Sequence, residues 1–162
     1  MASDIFLKIG DIKGESLDDK HKDEIDVMSF SWGVAQTGAG ALGGGAGTGK
    51  VQFHDFHFSS KTSKASPKLF LACASGEHIK DAALSVRRST ETRAPDDYLV
   101  IKMNDVLISS YQTGGSGQDD RPTDEVSLNF AKIEFTYKPQ KPDGSFDAPI
   151  TEAWDLKANK RA

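Results

Sequence analysis

Short runs of alternating apolar and polar residues dominate this chain, and most of it reads as strand and turn. Ile5–Ile9 alternates and predicts a first strand. In Ile25–Gln36, Ile25 and Val27 hold one phase and Phe30, Trp32 and Val34 the other. Side chains alternate strictly along an unbroken strand, so the change of phase near Met28–Ser29 predicts a β-bulge. Val51–Phe58 repeats the pattern: a bulge at His54–Asp55 would put Val51, Phe53, Phe56 and Phe58 on one side. Val126–Tyr137 does so again, with Val126, Leu128 and Phe130 in one phase and Ile133, Phe135 and Tyr137 in the other. Ala83–Thr90 predicts another strand. Tyr98–Met103 and Val106–Tyr111 flank Asn104–Asp105, which has the chemistry of a two-residue hairpin turn. Ile150–Leu156 closes the chain as the last strand.

One segment keeps a helical period. A helix is predicted from Ser66 or Pro67 to Ser75, capped by Ser66 or alternatively by Ser63. Pro67 suits the first turn, and Gly76 supplies a left-handed stop. Leu69, Phe70, Ala72 and Cys73 form one apolar stripe, while Leu71 and Ala74 fall on the other side. A helix apolar nearly all round needs cover on two faces; its own domain can cover one and a neighbouring subunit the other.

The connections read differently from one another. Gly14–Glu24 is a charged stretch of mixed sign that reads as a solvated connection. Gly114–Thr123 and Lys138–Pro149 are polar, proline-containing loops. Thr37–Gly49 holds seven of the fifteen glycines and one large apolar residue, Leu42. Ordering so much glycine costs backbone entropy, so residues 37–50 are expected to form a mobile, functional loop in the free subunit. Several short strands with bulges and a single helix give a mainly all-β chain, a barrel or a sandwich.

At 162 residues the chain fits one domain, 1–162, with a core that needs no disulfide; its single cysteine, Cys73, forms none within the chain. A net charge of −4 argues against nucleic acid as the main partner, and the basic stretch Lys157–Arg161 reads as a solvated end. The start, Met1–Gly10, has no basic region followed by a long apolar run, so no secretory signal peptide is expected. No segment reaches the ~18 apolar residues of a membrane span, so no membrane insertion is expected. A cytoplasmic product is expected, one that leaves the cell only by a route without a cleaved leader.

The candidate chemistry is thin. Gly44–Lys50 imitates a phosphate-binding loop, but Val51 replaces the required hydroxyl and a strand follows where a helix must begin. His54, Asp55 and His57 come together only through a bulge, and no third histidine or cysteine lies nearby at ligand spacing. Cys73 sits in an apolar run, the setting of a small buried thiol rather than a nucleophile. No G-x-S-x-G elbow occurs, and the acidic pairs Asp18–Asp19, Asp96–Asp97 and Asp119–Asp120 lie in predicted loops. No catalytic, metal or cofactor residue is assigned.

Three blocks carry a family resemblance: Ile12–Gly33, Phe53–Ile79, and Asp124–Ser145 with the terminal Glu152–Lys160. Through them the chain resembles, over essentially its full length, the haemolysin-coregulated protein family of the bacterial type VI secretion system. That resemblance implies a compact β-barrel of two curved sheets with one flanking helix at about 66–75. It also implies hexameric rings stacked into a tube, driven by a sheath, tipped by a spike, and able to carry small effector proteins in the lumen. The tube subunit is released on firing, acts as an export chaperone and is no enzyme. For subunit contacts we single out Leu71 on the back of the helix, and Leu42, Gly43, Gly44, Gly45 and Lys50 in the glycine-rich loop. The competing reading is a monomeric carbohydrate- or ligand-binding β-sandwich with Trp32 or Trp154 as its aromatic platform; both lie in alternating strands, where core packing is the simpler role.

Overall fold

The computed structural model describes residues 3–36, 51–88 and 96–162. The organising element is an 18-residue strand, β8 (Asp97–Gly114). Along 97–107 it pairs with β7 (His78–Arg88). Its other edge is shared: β10 (Lys132–Tyr137) pairs with Leu99–Asn104, and β9 (Thr123–Asn129) pairs from Leu107 onward. Asp105, with φ at 51°, stands where one partner gives way to the other. The expected hairpin at Asn104–Asp105 is therefore absent. Asn104 pairs with both Asp81 and Lys132, and Val106 pairs with Ile79. A left-handed residue serves a bend inside a strand as well as a turn, and here the long-range pairing decides.

The sheet curls around this strand. β1 (Ser3–Ile9) pairs with β7, and β6 (Phe56–Lys61) pairs with β9. The segment between β1 and β6 is held by both: β2 (Ile25–Asp26) pairs with β1 and β3 (Ser29–Ser31) with β6. Between them the Val27 N–H donates to the Ile5 carbonyl at 2.9 Å and the Met28 N–H to the Ser59 carbonyl at 2.8 Å. The ladder is thus not closed, but its two ends meet on one segment. β11 (Ile150–Asp155) and the two-residue β12 (Lys160–Arg161) extend the sheet outward from β10. β4 (Val34–Gln36) and β5 (Val51–Phe53) form a separate ribbon.

The predicted phase changes fall where strands end. Val27–Met28 separates β2 from β3, His54–Asp55 separates β5 from β6, and Phe130–Ala131 separates β9 from β10. Each is an interruption rather than a bulge in one strand, and each lets both phases face inward: Val126, Leu128, Phe130 and Ile133 are all buried. Phe56 and Phe58 fill the middle of the barrel with Leu7, Leu84, Ile101 and Met103. Each such side chain contributes about 1.5–3 kcal/mol by leaving water.

The helix α1 (Ser66–Ser75) has the predicted bounds, with Pro67 in its first turn and Gly76 at φ 65° as its left-handed stop. The expected serine caps do not form. Ala65 occupies the cap position without a side-chain bond. The Ser66 hydroxyl donates instead to Asp124 on β9, and the Ser63 hydroxyl accepts from the Ala65 N–H. Asp124 is only 1% exposed and also accepts from the Thr62 hydroxyl at 2.9 Å. A buried carboxylate, rather than a cap, pins the start of the helix to the barrel.

Gly14–Glu24 is not the solvated connection its charges suggest. It folds back on itself, with the Ser16 N–H on the Glu24 carbonyl and the Asp23 N–H on the Ser16 carbonyl. Ser16 and His21 are buried. Arg87 on β7 reaches across to Asp18 and lies over the Phe6 ring at 5.0 Å. This guanidinium holds the Asp18 carboxyl below its usual range. His21 stacks on Phe6 at 4.5 Å, with Nδ1 2.9 Å from Glu24 and Nε2 3.1 Å from Asp97. Burial opposes a charge on that ring, yet its hydrogen bonds to Glu24 and Asp97 and their negative charges outweigh it, so the His21 pKa is raised.

Asp124→Ala strands the buried Ser66 hydroxyl and the half-buried Thr62 hydroxyl and frees the helix start; the urea midpoint should drop by the equivalent of about 2–4 kcal/mol, and an unchanged midpoint would exclude this role. The raised His21 pKa adds stability that is complete below the ordinary value of 6.5 and is lost as pH rises through the folded value. The melting temperature should therefore decline over that interval in the native chain and decline less in His21→Asn, as read by circular dichroism; equal slopes would remove His21 from the account.

Candidate functional site

The residues that the sequence offers for chemistry are engaged structurally. Asp55 accepts from the Ser109 hydroxyl at 2.7 Å and from the Asn129 amide at 3.2 Å. His57 is half-buried with Nδ1 3.2 Å from the Ser127 hydroxyl. His54 is exposed in the break between β5 and β6, and its ring lies so close to Gly33 that a Cβ there would meet Nδ1 at 3.1 Å. Among the described residues no group of three His, Cys, Asp or Glu is placed to hold a metal. Cys73 is half-buried against the core beside Leu69 and Ala72 rather than fully enclosed. The phosphate-loop imitation at Gly44–Lys50 lies outside the described residues, and the chain continues from it into β5, a strand.

Neither tryptophan offers an open platform for a sugar. Trp32 packs on the core, its ring 5.9 Å from that of Phe135. Trp154 is half-buried opposite Ile133, with its indole nitrogen out of contact with solvent.

What the surface does offer is apolar. On α1, Leu69 and Ala72 face the core, whereas Phe70 is 58% and Leu71 59% exposed. Phe70 therefore leaves the inward stripe on which its sequence neighbours suggested it. Successive helical residues are rotated by about 100°, and burying Ala65, Leu69 and Ala72 turns Phe70 outward. Pro67, Phe70, Leu71 and Ala74 are all exposed, and their spacing puts them on one side of the helix. Leu71 lies off the buried stripe, as expected. Leu42, Gly43, Gly44, Gly45 and Lys50 lie outside the described residues.

A second apolar surface was not anticipated. Along β10, Ile133 is buried, but Phe135 and Tyr137 on the same face emerge progressively toward solvent. Directly opposite Tyr137 on β11 stands Ile150, 60% exposed. The barrel interior covers only the near end of this face. The alternating run Ile133–Phe135–Tyr137 carries the signal of an apolar face, but alternation does not reveal where cover ends.

Exposed apolar surface of this kind marks association more often than catalysis. The comparisons point the same way. The family described as "Type VI secretion system effector, Hcp" matches residues 6–137. A Pseudomonas aeruginosa protein named Hcp1 is 45% identical, with all of both chains aligned. The crystal structure of Hcp1 from Salmonella typhimurium is 37% identical and superposes with a TM-score of 0.82 over 100% of each chain. A structure described as that of a type six secretion system protein is 30% identical, with a TM-score of 0.90 over 99% of this chain and 100% of the other. With its barrel, the helix that flanks it and its uncovered apolar faces, the chain belongs to the Hcp family of the type VI secretion system, a family of secreted tube subunits rather than enzymes.

Proposed function

We propose that this chain associates through its own exposed faces into hexameric rings, that the rings stack into the inner tube of a type VI secretion system, and that it leaves the cell with that tube. The sheath then surrounds the tube, the spike tips it, and small effector proteins travel in the lumen. A single unit, 1–162, serves as both tube wall and subunit contact. The observation that supports this reading most directly is the outward face of α1, where Phe70 and Leu71 stand more than half exposed on a barrel whose core is otherwise filled. Each of these side chains forgoes a large part of the roughly 1.5–3 kcal/mol that full burial contributes, which a neighbouring copy recovers. Full-length similarity to Hcp1 of P. aeruginosa supports the same assignment.

Light scattering on the purified protein should give six times the 17.5 kDa chain mass, with annular particles in negative stain. Leu71→Asp should lower that mass while the isolated chain keeps its β-rich circular dichroism. A mutant ring of full mass and unchanged stability would take the helix back out of the contact. For the glycine-rich stretch 37–50 the expectation is slower amide exchange in stacked rings than in single rings; equal exchange in both would mean that it makes no stacking contact.

A further inference from the structure

Segment Gly14–Glu24 lies as a strap against β1, β7 and β8, covering Phe6 and Arg87, which are 5% and 7% exposed. We infer that this strap is a proton-operated latch: a charged His21 clamps its tip over Phe6 and Arg87, and a neutral His21 lets the tip lift and bare both.

The base of the strap is fixed. The Gly14 N–H donates to the Asp23 carbonyl at 2.8 Å and the Ser16 N–H to the Glu24 carbonyl at 3.0 Å. The two arms lie so close that a Cβ on Gly14 would stand 2.4 Å from the Glu24 carbonyl oxygen. Glu15, near the base, accepts from the Lys64 N–H at 3.1 Å. The tip is held differently. Among the described residues no backbone hydrogen bond joins residues 17–22 to the barrel. Side chains make the connection, Asp18 to Arg87 on β7 and His21 to Asp97 on β8. Asp18 also accepts from the Lys20 and His21 N–H groups, both at 3.1 Å, so it shapes the tip that it anchors.

Both nitrogens of the His21 ring face carboxylates. Nδ1 is 2.9 Å from Glu24, and Nε2 is 3.1 Å from each oxygen of Asp97. An imidazolium donates through both nitrogens, whereas a neutral imidazole donates through one and turns a lone pair toward the other carboxylate. The surroundings hold no spare cation to relieve that clash. Around the ring stand Glu24 and Asp18 of the strap, Asp4 on β1, Asp26 on β2 directly opposite Phe6, and Asp97 on β8. Arg87 on β7 is already committed to Asp18 and lies 3.7 Å from Asp4, while Lys20 and Lys22 are exposed. Glu24 belongs to the strap and travels with the ring. Asp97 belongs to β8, and its side chain is 27% exposed against 15% for Glu24, so water replaces its lost donor more readily. The neutral ring therefore keeps Glu24 and releases Asp97, the bond that joins strap to barrel. Because the carboxylates raise the His21 pKa, the latch is shut below the ordinary value of 6.5 and opens as pH rises through the folded value.

The test is amide exchange on the full-length protein, read by mass spectrometry and corrected for the intrinsic pH dependence of exchange. Between about pH 6 and about pH 9, protection of residues 17–23 should fall about tenfold, the loss of one charge-assisted hydrogen bond, while β7 and the first half of β8 keep theirs. Asp97→Asn separates this pair from every other titration. Its amide accepts from a charged ring and donates to a bare ring nitrogen, so strap protection in the variant should change by less than about twofold over the same interval. Unchanged protection of 17–23 in the native chain overturns the latch. So does a loss shared equally by β7 and β8, which is unfolding of the barrel, or an Asp97→Asn strap that opens as the native one does.

Discussion

The architecture depends on β8 having hydrogen-bonding partners along both edges and changing one of them midway. Buried backbone N–H and C=O groups must be paired, and a strand at the centre of a sheet meets that demand on both sides. β7 takes one edge, while the other passes from β10 to β9 at Asp105. The early half of the strand therefore carries the β10–β11 extension, and the later half completes the barrel wall with β9 and β6. One bent strand thereby builds a closed interior and an open face together.

The rest of the structure secures what this strand leaves loose, and it does so with polar anchors rather than cross-links. Asp124 holds the helix start. Arg87 and Asp18, with His21 between Glu24 and Asp97, hold the loop after β1 against Phe6. A buried charge is tolerated where partners satisfy it, and these partners come from segments far apart in sequence. Such contacts give a chain with one cysteine the loop fixation that disulfides supply elsewhere.

Much of this was readable in the residues. Every predicted change of alternation phase coincides with a real interruption, because a strand presents both phases to one core only through a bulge or a break, and here the breaks occur. The helix bounds followed from Pro67 and Gly76, whose effects are local. What failed was non-local. Asn104–Asp105 has turn chemistry, yet pairing across three strands overrides it. Ser66 is a good cap by type, but Asp124, 58 positions away, claims its hydroxyl. The charged loop looked solvated because nothing in Gly14–Glu24 announces Arg87. Of the exposed apolar side chains, Leu71 was visible as an apolar residue off the buried stripe. Phe70 and the β10–β11 face were not, since apolar identity alone does not distinguish a side chain covered by its own chain from one awaiting another.

The change of partner along β8 also ties the outward extension to the barrel wall. A slip of one residue in this strand would turn the side chains of both ladders to the wrong face at once, so β10 and β9 share a single register, set on either side of the left-handed residue Asp105.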